Sequence, residues 1–190
     1  MGTLFVDNIK QQSSQGSGTI TIGASGETVA LASGVVQSNV LYPAFFATRT
    51  SSQTISDETN TIVQFNNTTF DTNSGFDTST YKYTIPVAGK YSIYTAVYAS
   101  SPSNTDGFER FQIQLLKNSD VKLAEAYFDQ RNNPGYYNTL NITNIQNLSA
   151  NDTIYVKTFI DVTNGGSDPE LAGEASPSAL TYFGAYRIGT

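Results

Sequence analysis

Carboxylates are the residues of this chain best suited to chemistry, because it contains no His and no Cys. Without those two residue types there is no Ser-His-Asp triad, no cysteine nucleophile and no zinc site of the usual kind. A pair of carboxyl groups can still cleave a glycosidic bond, one protonating the leaving oxygen while the other attacks or activates water. Glu109, Glu125, Asp129, Glu170 and Glu174 are the candidates. Nothing in their spacing marks two of them as partners, and such side chains are mostly solvated, so no catalytic residue is assigned. Asp168, Glu170 and Glu174 share one stretch that could offer clustered oxygens to calcium. Gly165-Gly166 and two prolines in that stretch read instead as an acidic loop, and neither metal nor cofactor is expected. Gly16-Ser-Gly18 lacks the surroundings of a phosphate cradle. Exposed loop groups are better suited to holding a ligand than to transforming one. Asn104 and Asp106 in 100–107, Tyr136 and Tyr137 after Asn132-Asn-Pro-Gly135, and Asp168 in 164–178 can stack on and hydrogen-bond to sugars. Neighbours in a strand point to opposite sides, so one of the two tyrosines is expected to be buried.

Charge and hydropathy remove whole classes of partner. The net charge is −6, and the ten Lys plus Arg are scattered, so there is no basic stripe for nucleic acid. No apolar run approaches a membrane span, which argues against membrane insertion. Residues 1–20 lack the basic start and apolar centre of a signal peptide, and a soluble protein beginning at Met1 is expected. The Asn-x-Ser/Thr triplets at Asn66, Asn67, Asn141, Asn147 and Asn151 then follow from an Asn- and Thr-rich composition rather than from glycosylation. With no disulfide to crosslink it, stability must come from packing.

The elements that would position these residues fall into three stretches. Residues 1–17 open with Gly2-Thr-Leu-Phe-Val-Asp-Asn-Ile9, a strand-like chain end that needs a partner to stay ordered. In 18–42, Ala24-Ser-Gly26 recurs as Ala32-Ser-Gly34, with Ile20 and Ile22, then Val29 and Leu31, alternating with small or polar residues. A short stalk in which several copies bury these few apolar residues is favoured over a flexible linker. From 43 to 190 the chain is dense in strands, and no segment has helical periodicity. Arg110, Gln112 and Gln114 alternate with Phe111, Ile113 and Leu115, giving one wet face; Asn118-Ser-Asp120 turns into Val121–Phe128. Many short strands with turn chemistry between them point to an all-β antiparallel sandwich or jelly roll. Its organising stretch is 65–97, where Tyr81–Val87 meets Lys90–Val97 at Ala88-Gly89 in a hairpin or tight corner. Tyr91, Ile93, Thr95 and Val97 point one way; Lys90, Ser92, Tyr94, Ala96 and Tyr98 point the other. Aromatics on the second face require a second apolar neighbour, so oligomerisation is expected.

Phe65, Asp71, Phe76, Tyr83, Gly89, Tyr91, Ile93 and Thr95 fall at the spacing of the signature of the C1q-like (C1q/TNF-type) domain, which residues 43–190 resemble. Tyr83 and Ile93 replace Phe, and Thr95 lacks the ring of the pattern. Pro43-Ala-Phe-Phe-Ala47, Leu148–Val156 with Asn151 for Gly, and Phe183-Gly184 also agree. The resemblance implies a two-sheet, ten-stranded jelly roll that forms a tight homotrimer with aromatics near the three-fold axis. Tyr94, Tyr98, Tyr155, Phe159 and Tyr186 are the candidates for that interface.

The Thr-Leu-x-Val-Asp-Asn-Ile start, followed by Gly/Thr-rich repeats, resembles the opening of many marine phage structural proteins. It implies a virion component, anchored on other virion proteins through Leu4, Phe5, Val6 and Ile9, whose knob faces outward. Together the two resemblances imply a homotrimeric tail fibre, head fibre or spike attaching to a host surface glycan or protein. The alternatives are a capsid decoration or connector protein with a purely structural knob, and a cellular C1q-like binding protein.

Overall fold

A computed structural model describes residues 42–101, 106–163, 167–174 and 179–189, so the stretch carrying Leu4, Phe5, Val6 and Ile9 lies outside the described residues, as does Asn104. In chain order the strands are β1 (Ala44–Thr48), β2 (Gln53–Thr54), β3 (Thr61–Ile62), β4 (Asn67–Asp71), β5 (Phe76–Asp77), β6 (Lys82–Thr84), β7 (Gly89–Ser100), β8 (Phe108–Lys117), β9 (Val121–Asp129), β10 (Tyr137–Leu148), β11 (Thr153–Val162), β12 (Glu170–Leu171) and β13 (Tyr182–Gly189). The described residues thus hold thirteen strands where ten were expected; β2, β3, β5 and β12 are two-residue additions to the ladders.

All pairings are antiparallel and build two sheets. One runs β10-β7-β13-β1-β4, with β12 and β2 continuing beside β7; the other runs β9-β8-β11-β6-β5, with β3 also on β11. The strands on either side of Ala88-Gly89 do not pair as a hairpin. β6 belongs to the second sheet and β7 to the first, so this is the corner of the sandwich. Tyr91 anchors it by donating its hydroxyl proton to Val87 O at 2.6 Å.

The inward face of β7 is Tyr91, Ile93, Thr95 and Val97, all buried, as the alternation requires. Phe111, Ile113 and Leu115 of β8 and Ile154, Val156 and Ile160 of β11 face them across the sandwich. An aromatic knot closes one end. The Phe45 ring stacks on Tyr83 at 4.0 Å and on Phe76 at 5.3 Å, and it meets Phe183 edge-on at 5.0 Å. Thr95, which lacks the ring of the family pattern, is buried because its hydroxyl donates to Tyr182 O at 2.8 Å.

Tyr83 departs from the pattern at a cost. Its side chain is 0% exposed and its hydroxyl has no hydrogen-bond partner. Burial, reinforced by nearby Asp71, pushes the phenol well above its ordinary range. Removing an orphaned buried hydroxyl removes a desolvation penalty of about 1–3 kcal/mol while leaving the stacked ring in place. Tyr83→Phe is therefore expected to stabilise the fold by roughly 1 kcal/mol, read as a higher midpoint in urea at an unchanged slope. A lower midpoint would show that the hydroxyl is satisfied in solution.

Candidate functional site

The outward face of the β7 sheet carries aromatic side chains where a solvated sheet would carry polar ones. Tyr94 and Tyr98 come from β7, Tyr182 and Tyr186 from β13, Phe46 from β1 and Phe70 from β4. Phe46 lies 6.1 Å from Phe70, 6.3 Å from Tyr94 and 5.6 Å from Tyr182, while Tyr94 lies 6.4 Å from both Tyr182 and Tyr186. Tyr137, at the start of β10, stacks 6.5 Å from Tyr98 and extends the patch. Gly184 lets Tyr94 lie flat on the sheet, because a Cβ there would come within 2.6 Å of the Tyr94 hydroxyl oxygen. Burial, with Tyr186 and Tyr182 adding to it, raises the Tyr94 phenol. Phe70, Tyr137, Tyr186 and Ile188 remain exposed.

The outward face of the β11 sheet is of the opposite kind. All six ion pairs among the described residues lie on its strands and turns, including Arg110 with Asp161 at 2.5 Å, Lys157 with Asp120 at 2.7 Å, and Lys122 with Glu125. Gln112 and Gln114 of β8 sit among them. Of the five residues expected at an interface, Tyr94, Tyr98 and Tyr186 share the aromatic face, whereas Tyr155 and Phe159 stand on the charged one. Tyr155 is buried by its neighbours: its hydroxyl donates to Asp120 at 2.6 Å, and Lys82 Nζ lies 4.5 Å over its ring. Burial first, and then that bond to Asp120, push its phenol up to about 12. Phe159 is covered by the Arg110 guanidinium at 5.2 Å. Sequence reasoning passed over Phe46, Phe70 and Tyr182. The signal was there in Phe45-Phe46, since consecutive aromatics in a strand cannot both face the core.

Several loop candidates gather at one end of the sandwich. Ser101 donates to Tyr136 O at 2.8 Å and to Asp106 O at 2.5 Å, and the Asp106 carboxylate accepts from Ser167 N at 3.1 Å. Asp168 accepts from Asp57 N at 3.2 Å. These acids tie loops together. The expectation that one tyrosine of the pair would be buried fails: Tyr136 is 37% exposed and Tyr137 is 63% exposed. The break is that Tyr136 precedes the strand and so does not share its alternation.

Nor are Glu125 and Asp129 a carboxylate pair. Glu125 and Asp129 share the outward side of β9, but four residues of strand separate them by about 13 Å, beyond the spacing of a glycosidase pair. Asp129 is held by Arg131 and Tyr127, and Glu125 by Lys122 and Gln114. The described residues contain no group of three or more acids able to hold a metal ion.

These bonds set the response to acid. Hydrogen bonds from Arg131 hold Asp129 at about 2, and those from Ser79 and Thr80 hold Asp77 at about 2. Lys157 and Tyr155 lower Asp120, and Lys122 lowers Glu125. Because the folded values lie below the ordinary carboxylate range, the unfolded chain takes up more protons in acid. Their contribution is complete above that range and is lost as pH falls toward 2. Urea midpoints are expected to stay level from pH 8 to 5 and to drop between pH 4 and 2.5. A midpoint that rises on acidification would contradict these pairings.

Comparison with known proteins agrees with the geometry. The C1q domain model matches residues 44–173. Among solved structures, the Eiger TNF of S. frugiperda is similar with a TM-score of 0.56 at 15% identity, covering 78% of this chain and 93% of that one. Murine APRIL at pH 5.0 gives 0.55 at 14% identity, covering 78% and 100%. The globular domain of zebrafish complement 1qA gives 0.51 at 21% identity, covering 78% and 98%. No curated protein matches the sequence.

Proposed function

The chain belongs to the C1q domain family through residues 44–173, and from that premise we propose that it is a homotrimeric binding and structural protein with its aromatic sheet face at the subunit seam. Members of this family form trimers. The observation that carries the reading is the contrast between the two outer faces. Phe46, Phe70, Tyr94 and Tyr186 form a contiguous aromatic surface, whereas the six ion pairs among the described residues lie on the opposite sheet. A patch of this kind costs solvation in a monomer and is what a self-association interface buries. Three copies then present three identical sites, and weak contacts with a host surface glycan or protein become firm by acting together.

The finer reading is a tail-fibre, head-fibre or spike component attached to a virion through Leu4, Phe5, Val6 and Ile9. Its support is the resemblance of the first 42 residues to phage structural proteins. Antibody against residues 43–190 is expected to label virus particles from the source, and particles without that label would overturn this placement.

Light scattering on the full chain and on residues 43–190 tests the assembly. A full-chain mass near three times 20.5 kDa, with the shorter chain also trimeric, is the expected result. Monomers in both would overturn it.

A further inference from the structure

We propose that a notch between β3 and β6 binds one uncharged sugar residue of a surface glycan. The proposal rests on reading the domain as a binding knob, and it gives that knob a place and a ligand class. The notch follows from the topology. β3 and β6 share one edge of β11, β3 pairing with Lys157 and Thr158, β6 with Thr153 and Ile154. Between them the Val156 carbonyl accepts from Val63 N at 2.9 Å. Residues 79–81 are left without a pairing on that edge, and a cavity of about 550 Å³ opens between them and residues 60–64. That is within the range of small-molecule sites, roughly 300–1,000 Å³.

The lining sets unused hydrogen-bonding groups beside apolar surface. The side-chain amides of Asn60 and Gln64 and the Tyr81 hydroxyl make no hydrogen bond to a described residue. Ile62 and the Tyr81 ring supply the apolar part. A pyranose has the matching character: a face of C–H groups that rests on an aromatic ring, and a rim of hydroxyls that donate and accept as amides do. Tyr81 holds a φ of 61°, an outlier for a bulky residue. Glycine would take this backbone without strain, so what tyrosine adds here is its ring. The turn that presents it is tied down. Tyr81 N donates to Asp77 O at 2.7 Å, and the Asp77 carboxylate accepts from Ser79 N and Thr80 Oγ1. Strain held in place this way points to a functional segment.

Charge makes the ligand neutral. Lys82 is the only charged residue of the lining, and its ammonium lies 4.5 Å over the Tyr155 ring. Asp77, next to Ser79 and Thr80 in the turn, already accepts from both of their hydroxyls. An ion entering the notch would lose solvation with no free partner to replace it. Stacking and hydrogen bonds at one sugar bind weakly, and three copies on one particle raise the total. The notch belongs to the β11 sheet, so assembly through the aromatic face leaves it open.

Saturation-transfer NMR on the full chain tests the site, with methyl glycosides of galactose, mannose, N-acetylglucosamine and galacturonic acid as probes. Mass and melting temperature are measured on the same samples. At least one neutral glycoside is expected to bind, with transfer strongest to protons on one face of its ring. Galacturonate, which differs from galactose by its carboxylate, is expected to bind no more tightly than galactose. Tyr81→Gly and Gln64→Ala are each expected to weaken binding fivefold or more at unchanged mass. Tyr81→Gly suits the backbone and is expected to keep the melting temperature, while Gln64→Ala keeps the carbonyl that Arg49 holds. Binding of no neutral glycoside, a uronate held tenfold more tightly than galactose, or full binding by either variant would overturn the site. If Tyr81→Gly fails to fold, Gln64→Ala decides. A trimer that binds none of the sugars counts against the notch alone. A monomer that binds counts against the assembly and leaves the notch standing.

Discussion

Tyr94→Arg is expected to turn the proposed trimer into single folded chains. Tyr94 is the hub of the aromatic face, within 6.4 Å of Phe46, Tyr182 and Tyr186 and flat against Gly184. Its side chain leaves the sheet away from the core, so arginine there spares Tyr91, Ile93 and Val97 on the other side of β7. In the proposed trimer three guanidinium groups would face one another across an aromatic surface. An uncompensated buried charge costs several kcal/mol, and like charges add to that. The dissociation constant is expected to rise by a factor of a thousand or more, with an unchanged far-ultraviolet circular dichroism spectrum. Sedimentation equilibrium reads the result directly. Tyr94→Phe keeps the ring and is expected to keep the trimer. If the arginine variant remains three-fold, the seam lies elsewhere and the aromatic face needs another explanation.

The second large effect lies inside the subunit, at Arg49. This guanidinium is 4% exposed just after β1, and no ion pair among the described residues involves it. It donates instead to two backbone carbonyls, Gln64 O at 2.5 Å and Ser52 O at 2.7 Å. Burial lowers its pKa, yet an arginine stays charged under any ordinary condition. The side chain thereby pins the segment before β2 to the segment before β4. Its backbone does the same further on, with Arg49 N donating to Thr181 O and Arg49 O accepting from Glu174 N, each at 3.0 Å. Arg49→Met fills similar space but leaves the part-buried Gln64 and Ser52 carbonyls without this donor. The expected loss is about 3 kcal/mol, a fall of roughly 6–12 °C in melting temperature for a domain of this size. Arg49→Lys is expected to recover little, because a single ammonium cannot span both carbonyls. A loss below about 1 kcal/mol would mean that the carbonyls find other donors.

Much of the fold was legible because strand alternation is a local property. The two sides of β7 could be assigned from Tyr91-Ser-Ile-Tyr-Thr95 alone, and the structure agrees with them. The β8–β9 turn at Asn118-Ser-Asp120 was equally plain, and Asn118 and Asp120 there take positive φ. What alternation cannot say is which sheet a strand joins. Ala88-Gly89 left a hairpin and a corner equally open, and only the pairing of β6 with β11 and of β7 with β13 decides between them. Tyr155 and Phe159 were grouped with Tyr94 for the same reason, since an outward aromatic looks alike on either face.

The position of β13 bears on how the protein is made. This strand lies in the interior of its sheet, paired with β1 on one side and β7 on the other, and Arg187 N reaches back to Pro43 O at 2.9 Å. Synthesis delivers β1, β7 and β10 well before it, so β1 and β7 wait with unpaired edges and Phe45 lacks its Phe183 neighbour. Closure of the sheet is therefore a late event, dominated by contacts distant in sequence, and it is intrinsically slow. It also bears on the order of the proposed assembly. Tyr182, Gly184 and Tyr186 arrive only with β13, so on a nascent chain the aromatic face is split between β1 and β7. Under that proposal, half-made chains lack the continuous surface through which sister chains would join.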